Sequence, residues 1–323
     1  MPSYPERVRA LLIVNPRATT TTQLRREVIT HALASQMDLE VVQTRYRGHA
    51  ASLAAAAAAT GLGLVLTLGG DGTVNEAVNG LLRGSSGNGL VPELAALPGG
   101  NANVFTRSLG LPTDPVDATG QVIEALEAGR SRSLGLGRID PGGRPGRHRY
   151  FTFSAGLGLD AEVVRVIEGL RARGRAVTSR LYLWTALRQF YTVTDRRHPA
   201  LTLERGGHAP VGHLFFGIVS NTAPWTYLGR RPVNPSPAAG FDTGLDLFAL
   251  RRLRTAGTLN ALRQMFASRA GPPSGRDVLS LHDQPEFVIS ASRPVALQVD
   301  GEYVGEHERV RFSSVPDVLQ VIA

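Results

Sequence analysis

The chain has 323 residues, 42% hydrophobic and 19% charged, with no cysteine, which describes a globular protein with room for two domains and excludes disulfides, thiolate metal sites and a cysteine nucleophile. Its 35 basic residues are all arginine, so a Walker A loop and a protein-kinase ATP lysine, which both need an ammonium, are excluded too. The formal net charge of +8 suits a polyanion such as a nucleotide, an anionic membrane or a nucleic acid, although an arginine- and alanine-rich composition also follows from base composition alone.

Met1–Arg9 has no apolar signal core, and Ala50–Leu68 breaks at Gly61 and Gly63, so no leader or membrane span is expected. In chain order, Val8–Val14 reads as a buried strand leaving the sheet at Asn15-Pro16. Leu24–Ser35 reads as a helix, Leu39–Gln43 as a strand, Ala50–Ala59 as an alanine-rich helix and Leu64–Leu68 as a strand. Gly69–Gly72 turns into a helix over Val74–Leu82. Leu94–Leu97 is the next strand, turning at Pro98-Gly99-Gly100 into Asn103–Ser108, and a helix over Asp117–Ala128 closes the region. Strands alternating with helices imply a doubly wound α/β domain with a parallel sheet.

Beyond Ser131 the runs become short and β-rich: Tyr150–Ser154, Leu201–Leu203, His213–Val219, Leu245–Leu250, Phe287–Ile289, Val295–Val299, Val310–Phe312 and Val318–Ile322. Gly, Pro and Asp separate them, the pattern of an antiparallel β-sandwich. A helical insertion spans about Glu162–Thr192, and Pro141–Gly146 and Pro232–Gly240 read as surface loops. The expected division is a nucleotide-binding domain over 1–132 and a substrate domain over 133–323, whose C-terminal strand packs back on the first.

Gly69-Gly70-Asp71-Gly72-Thr73 lies between a strand and a helix. Glycines there let the main chain approach a phosphate, and the helix N-terminus presents N–H groups to it. A carboxylate at Asp71 makes sense if it holds Mg²⁺ or orients an attacking hydroxyl; the bland alternative is a tight turn. Pro98–Asn103 repeats the arrangement one strand later, and Asn15-Pro16 borders the same crevice at the carboxyl ends of the strands.

Those residues, with Thr44, Gly48-His49-Ala50, Asn75-Glu76, Val104–Arg107, Ser154–Asp160, Asp242–Asp246 and Val299–Glu302, resemble the signatures of the diacylglycerol kinase catalytic-domain family, which includes bacterial lipid kinases and sphingosine kinases. The resemblance spans nearly the whole chain. It implies an NAD kinase/diacylglycerol kinase-like fold and an ATP- and Mg²⁺-dependent kinase that phosphorylates a lipid hydroxyl, diacylglycerol by default. ATP would meet Asn15, Pro16, Thr44, Gly69, Gly70, Asp71, Gly72, Thr73, Asn75, Gly100, Asn101 and Asn103. A general base is implied near Asp300-Gly301-Glu302. Two carboxylates two residues apart on a strand share a face, so Asp300 and Glu302 stay joint candidates; read alone, Asp-Gly is a hairpin turn. Asp160 would contact the acceptor's head or cap a helix. Asp242 resembles a Mg²⁺-site residue, with Asp246 its companion; the alternative for Asp242-Thr243-Gly244 is a plain turn.

The chain departs from the family at three places. Asn101 replaces a threonine, Val104 replaces an aspartate, and no aspartate stands near Leu134-Gly135. Losing both acids together fits either a rewired metal shell or reduced activity. In the insertion, Arg165, Arg171, Arg173, Arg175, Arg180 and Arg188 interleave with Leu181, Tyr182, Leu183, Trp184, Leu187, Phe190 and Tyr191. That suits a membrane surface, or a helix packing its apolar stripe. The eight histidines show no ligand spacing. The expectation is a cytoplasmic enzyme in peripheral contact with the inner membrane face, meeting its lipid there, with no specific nucleic acid and a homodimer as a further partner. The rival readings are an NAD or sugar kinase, and a non-catalytic nucleotide- or lipid-binding module.

Overall fold

A computed structural model describes residues 8–85, 91–142, 148–173, 179–193, 195–267 and 271–323. Most of the expected Pro141–Gly146 loop, and Arg175, lie outside the described residues, as do the side chains of Arg171, Arg180, Tyr182, Leu183 and Leu187. The chain divides into two compact units, Met1–Leu134 with Asp317–Ala323, and Gly135–Pro316.

In unit 1 the strands are β1 (Arg9–Val14), β2 (Asp38–Gln43), β3 (Leu64–Gly69) and β4 (Glu93–Pro98), all parallel in the order β4-β3-β1-β2. The helices are α1 (Gln23–Gln36), α2 (His49–Ala59), α3 (Asp71–Gly84), α4 (Val104–Ser108) and α5 (Pro115–Glu127). β1 and β3 are near-continuous aliphatic runs because a parallel sheet is covered on both faces. Start signals follow local chemistry. The Thr22 hydroxyl accepts from the Arg25 N–H at 3.3 Å, and Asp114 accepts from the Val116 N–H at 2.9 Å ahead of Pro115.

The alanine-rich α2 has a packing cause. A Cβ on Gly80 would stand 2.2 Å from the Ala51 carbonyl oxygen, and one on Gly84 would stand 2.4 Å from that of Ala55. α2 and α3 therefore meet backbone to backbone, which only alanine on one side and glycine on the other permit. The chain's last residues belong here, with Val321 paired in parallel with Leu94.

Unit 2 is β-rich. Its elements are β5 (Arg132–Pro141), β6 (Arg149–Phe151), β7 (Ser154–Leu157), α6 (Leu159–Ala172), α7 (Ser179–Arg188), a π-helical turn (Gln189–Val193), β8 (Leu201–Glu204), β9 (Val211–Leu214), β10 (Phe216–Ser220), β11 (Thr226–Leu228), β12 (Arg231–Val233), β13 (Leu245–Leu250), α8 (Thr255–Met265), β14 (Val278–Gln284), β15 (Glu286–Val299) and β16 (Glu302–Val321). The runs read as separate strands at Phe287–Ile289 and Val295–Val299 are one strand, β15, bulged between Ser290 and Val295. Its first half pairs with β8 and its second with β7. β7, β8, β10, β13, β14, β15 and β16 pair antiparallel, over a core that includes Phe151, Phe287, Phe312 and Leu247. Pro232–Gly240, expected on the surface, carries the end of β12 and buries Val233, Ser236 and Ala239.

Candidate active site

In unit 1 two glycine turns touch through their main chains. A Cβ on Gly100 would lie 2.7 Å from Gly70 Cα, and one on Gly99 would lie 2.9 Å from Gly69 Cα, so no side chain fits at either. The Gly99 N–H donates to the Gly69 carbonyl at 2.7 Å. Asn103, at φ 47°, locks the second turn: its carboxamide accepts from the Gly100 N–H at 2.8 Å and donates to the Gly100 carbonyl at 2.7 Å. Asn101 accepts from the Thr19 hydroxyl at 2.9 Å, and Asn15 Nδ2 donates to Thr73 Oγ1 at 3.1 Å. The Thr44 N–H donates to the Val14 carbonyl at 2.8 Å. The carboxyl ends of β1, β3 and β4 are thus tied into one arrangement.

Asp71 opens the 14-residue α3 directly after its N-cap, Gly70, and its Oδ1 accepts from the Phe105 N–H at 3.1 Å. No side chain caps that helix, and its positive N-terminal end beside turns bare of side chains fits the close approach of a nucleotide phosphate. Magnesium bound with a nucleotide needs only one or two protein carboxylates, its other ligands being phosphates and water; Asp71 is the carboxylate at this turn. Asn75 is 0% exposed, and Asn79 Nδ2 donates to its carbonyl at 2.9 Å and to its Oδ1 at 3.3 Å. Glu76 was quoted in the motif without a role, and the structure supplies one. Its carboxylate accepts from the N–H groups of Gly48 at 2.7 Å and Ala50 at 3.2 Å, capping α2.

Val104 is buried, 1% exposed. A Cβ on Gly135 would meet the Phe241 carbonyl oxygen at 2.6 Å. The backbone here therefore leaves no space for a side chain at that position.

In unit 2, Asp300 and Glu302 do not share a strand face, which corrects the sequence-based expectation. Val299 pairs with Glu302 across the hairpin of β15 and β16, and Asp300 (φ 47°) and Gly301 (φ 76°) form its two-residue turn. Asp300 is 3% exposed. Its carboxylate accepts from the Thr152 N–H (2.7 Å) and hydroxyl (2.8 Å), the Phe153 N–H (3.0 Å) and the Ser154 N–H (3.1 Å). Burial pushes its proton affinity up while those four donors pull it down, and burial prevails. The break between β6 and β7, which the sequence read as one strand, is where the main chain turns its N–H groups onto this carboxylate. Glu302 is reachable from solvent and paired with Arg149 at 2.8 Å.

Asp160, near the start of α6, accepts from Gln298 Nε2 at 2.7 Å, and burial raises its pKa to about 6. Asp242 and Asp246 do not gather a third ligand: among the described residues no group of three His, Asp or Glu is placed to hold a metal. Asp246 is instead bound at Oδ1 by His282 Nδ1 at 2.8 Å and by the Asp283 N–H at 3.0 Å. The donors here are those of a hydrogen-bonded brace between β13 and β14.

Sequence reasoning missed an apolar cavity of about 200 Å³ in unit 2. Phe190, Phe216, Ile218, Trp225, Met265 and Phe266 help to line it, and among the described residues Asp160 is the one charged side chain in its wall. Of the insertion's residues, Phe190 is buried while Trp184 and Tyr191 are exposed, and Arg165 pairs with Glu306 at 3.0 Å. No helix among the described residues is long and apolar enough to cross a membrane.

Comparison with known proteins adds to this geometry. Residues 9–139 match the model of the diacylglycerol kinase catalytic domain. A Chromohalobacter salexigens protein named Probable lipid kinase YegS-like is 36% identical over 322 residues, covering 97% of this chain and 92% of that protein. The match to Probable lipid kinase YegS of Salmonella arizonae, 31% identical over 140 residues, covers 43% of this chain and spans only 44% of that protein's length. A solved diacylglycerol kinase structure from Bacillus anthracis shares the fold at a TM-score of 0.68 and 19% identity, covering 99% of this chain and 98% of that one. A chain with these glycine turns, matched over almost its whole length by such a relative, belongs to the diacylglycerol kinase catalytic-domain family and is an enzyme of the lipid-kinase kind.

Proposed function

We propose that the protein transfers the γ-phosphoryl group of ATP, with Mg²⁺, to the hydroxyl of a membrane lipid, and that diacylglycerol is the acceptor. The observation that carries this reading is the apolar cavity in whose wall Asp160 is the single charged group among the described residues. A pocket for NAD or a sugar would need many polar groups; this one offers a greasy interior and one place for a hydroxyl-bearing head. At 200 Å³ it takes part of an acyl chain, and the exposed apolar side chains of Tyr191, Leu259, Leu262 and Phe266 at its wall receive the rest.

Within this reading the residues divide the work by their surroundings. The glycine turns and the first turn of α3 bind the phosphates, and Asp71 holds the accompanying cation, which neutralises their charge when bound. Asp160, poised near neutrality, hydrogen-bonds the acceptor's polar head. A lipid alcohol needs a carboxylate to take its proton as the new bond forms. Asp300 has both oxygens occupied by donors, so Glu302 is assigned as the general base and Asp300 as the residue that shapes its turn.

The test is incubation with Mg²⁺, labelled ATP and mixed micelles of diacylglycerol, beside parallel reactions with long-chain bases, monoacylglycerol and NAD. Label should enter phosphatidic acid. Glu302→Gln should lower kcat about 10²- to 10⁴-fold with an unchanged melting temperature, and Asp71→Ala should abolish turnover. Label in NAD, or ATP binding with no lipid labelled across a membrane extract, would sink the proposal in favour of one rival or the other.

A further inference from the structure

Unit 2 has a second concavity of opposite character. Arg196, Arg197, Arg251, Arg252, Arg254 and Arg276 line an open cleft of about 650 Å³. Among the described residues Asp277 is the one carboxylate in its wall, and it meets Arg252 Nε at a long 3.8 Å. Asp195, next to Arg196 in the chain, is already held by His198 Nδ1 at 2.7 Å and by the N–H groups of Arg197 and His198. The other five guanidiniums form no ion pair among the described residues. Arg254 is also the N-cap of the 11-residue α8, which has no side-chain cap and no acidic residue in its first turn. The positive end of that helix therefore adds to the same field. So much uncompensated like charge in one concavity opposes folding, and an anion seated there would relieve it.

What lies beside the cleft narrows the anion. The Arg196 guanidinium stands over the rings of Phe190, at 5.1 Å, and Tyr191, at 5.5 Å. Both rings line the apolar cavity. Leu253 is in the wall of the cleft and Thr255, two residues on, is in the wall of the cavity. Tyr191 (48%), Leu259 (52%) and Phe266 (41%) leave apolar surface exposed at that cavity's rim. Cations next to exposed apolar side chains match the boundary between anionic headgroups and acyl chains. A nucleic-acid site would instead carry rings spaced for base stacking along a basic groove.

We infer that the arginine cleft is a binding site for a phosphate-bearing anion, the chemistry that an anionic phospholipid headgroup and free phosphate share. The adjoining apolar rim favours the headgroup. This goes beyond the kinase reading and stands without it: a protein that seated the anion but phosphorylated no lipid would keep this site and lose that function.

The test compares the full chain with its Arg251→Gln/Arg254→Gln/Arg276→Gln variant. Wild type should co-sediment with phosphatidylcholine vesicles containing roughly one-third phosphatidylglycerol and not with pure phosphatidylcholine. Each neutralised arginine should weaken that binding about fivefold, so the triple variant loses on the order of a hundredfold at low salt. Its melting temperature, and its turnover of short-chain diacylglycerol in detergent, should match wild type. A second arm adds millimolar inorganic phosphate and follows the melting temperature. Protection of wild type that the variant lacks identifies free phosphate as a source; vesicle binding without such protection identifies the headgroup. Three results would overturn the inference: wild type binding neither probe, the variant binding both as tightly as wild type, or a short DNA duplex binding more tightly than the anionic vesicles.

Discussion

At the carboxyl ends of β1, β3 and β4, unit 1 presents main chain, and the side chains there (Asn15, Asn103, Asp71) hold the turns in place. The cavity of unit 2 reverses this: side chains from α6, β10, α8 and the π-helical turn make the wall, and the backbone only carries them. A backbone-built site depends on what is absent, namely Cβ atoms at Gly99 and Gly100. A side-chain-built site depends on what is present, and a single carboxyl at Asp160 sets its polarity. In the proposed function the first kind of site would meet a phosphate common to all nucleotides, and the second would choose among lipids.

Three substitutions probe this contrast, in order of expected effect. Asp300→Ala should be the most severe, because it strands the Thr152, Phe153 and Ser154 donors in the interior. A loss of about 3–5 kcal/mol is expected from urea unfolding at neutral pH. A loss below about 1 kcal/mol would mean that the turn is not held from within.

Asp160→Asn comes second and should stabilise. The folded carboxyl titrates near 6 and its unfolded counterpart near 3.8. Between those values the native state keeps a proton that the unfolded state has lost, so wild-type stability falls as pH rises through that window. The full penalty is about 3 kcal/mol and is present above pH 6. The asparagine variant escapes it, so its advantage should be small at pH 4 and open out by pH 8, while KM for the lipid rises. An advantage that does not change with pH would contradict the buried, half-neutral carboxyl.

Gly100→Ala should have the smallest effect on stability, about 1–3 kcal/mol of strain as its methyl meets Gly70. The diagnostic readout is ATP. Thermal protection by millimolar ATP and Mg²⁺ should weaken at least tenfold, whereas co-sedimentation with anionic vesicles should not change. Equal protection of the variant would place the phosphate away from these turns.

The sequence by itself determined unit 1 closely. Each element there follows from a local signal: aliphatic runs for β1 and β3, glycine turns at helix starts, Asp114-Pro115 ahead of α5. The glycine motif identified the family because only glycine tolerates so close a backbone approach, a requirement that a sequence displays directly. Tertiary structure alone decided the rest. Whether Asp300 sits on a strand face or in a turn depends on which residues pair across the hairpin. Whether Asn75 faces ligand or core depends on the rotation of α3. α8 has an apolar face at Leu259, Leu262 and Met265, but which distant segments that face meets was not legible. The Arg251–Arg254 run could be counted in the sequence. Its meeting with Arg196, Arg197 and Arg276 in one cleft could not, because long-range packing brings those charges together and no local pattern encodes which distant segments will share a wall.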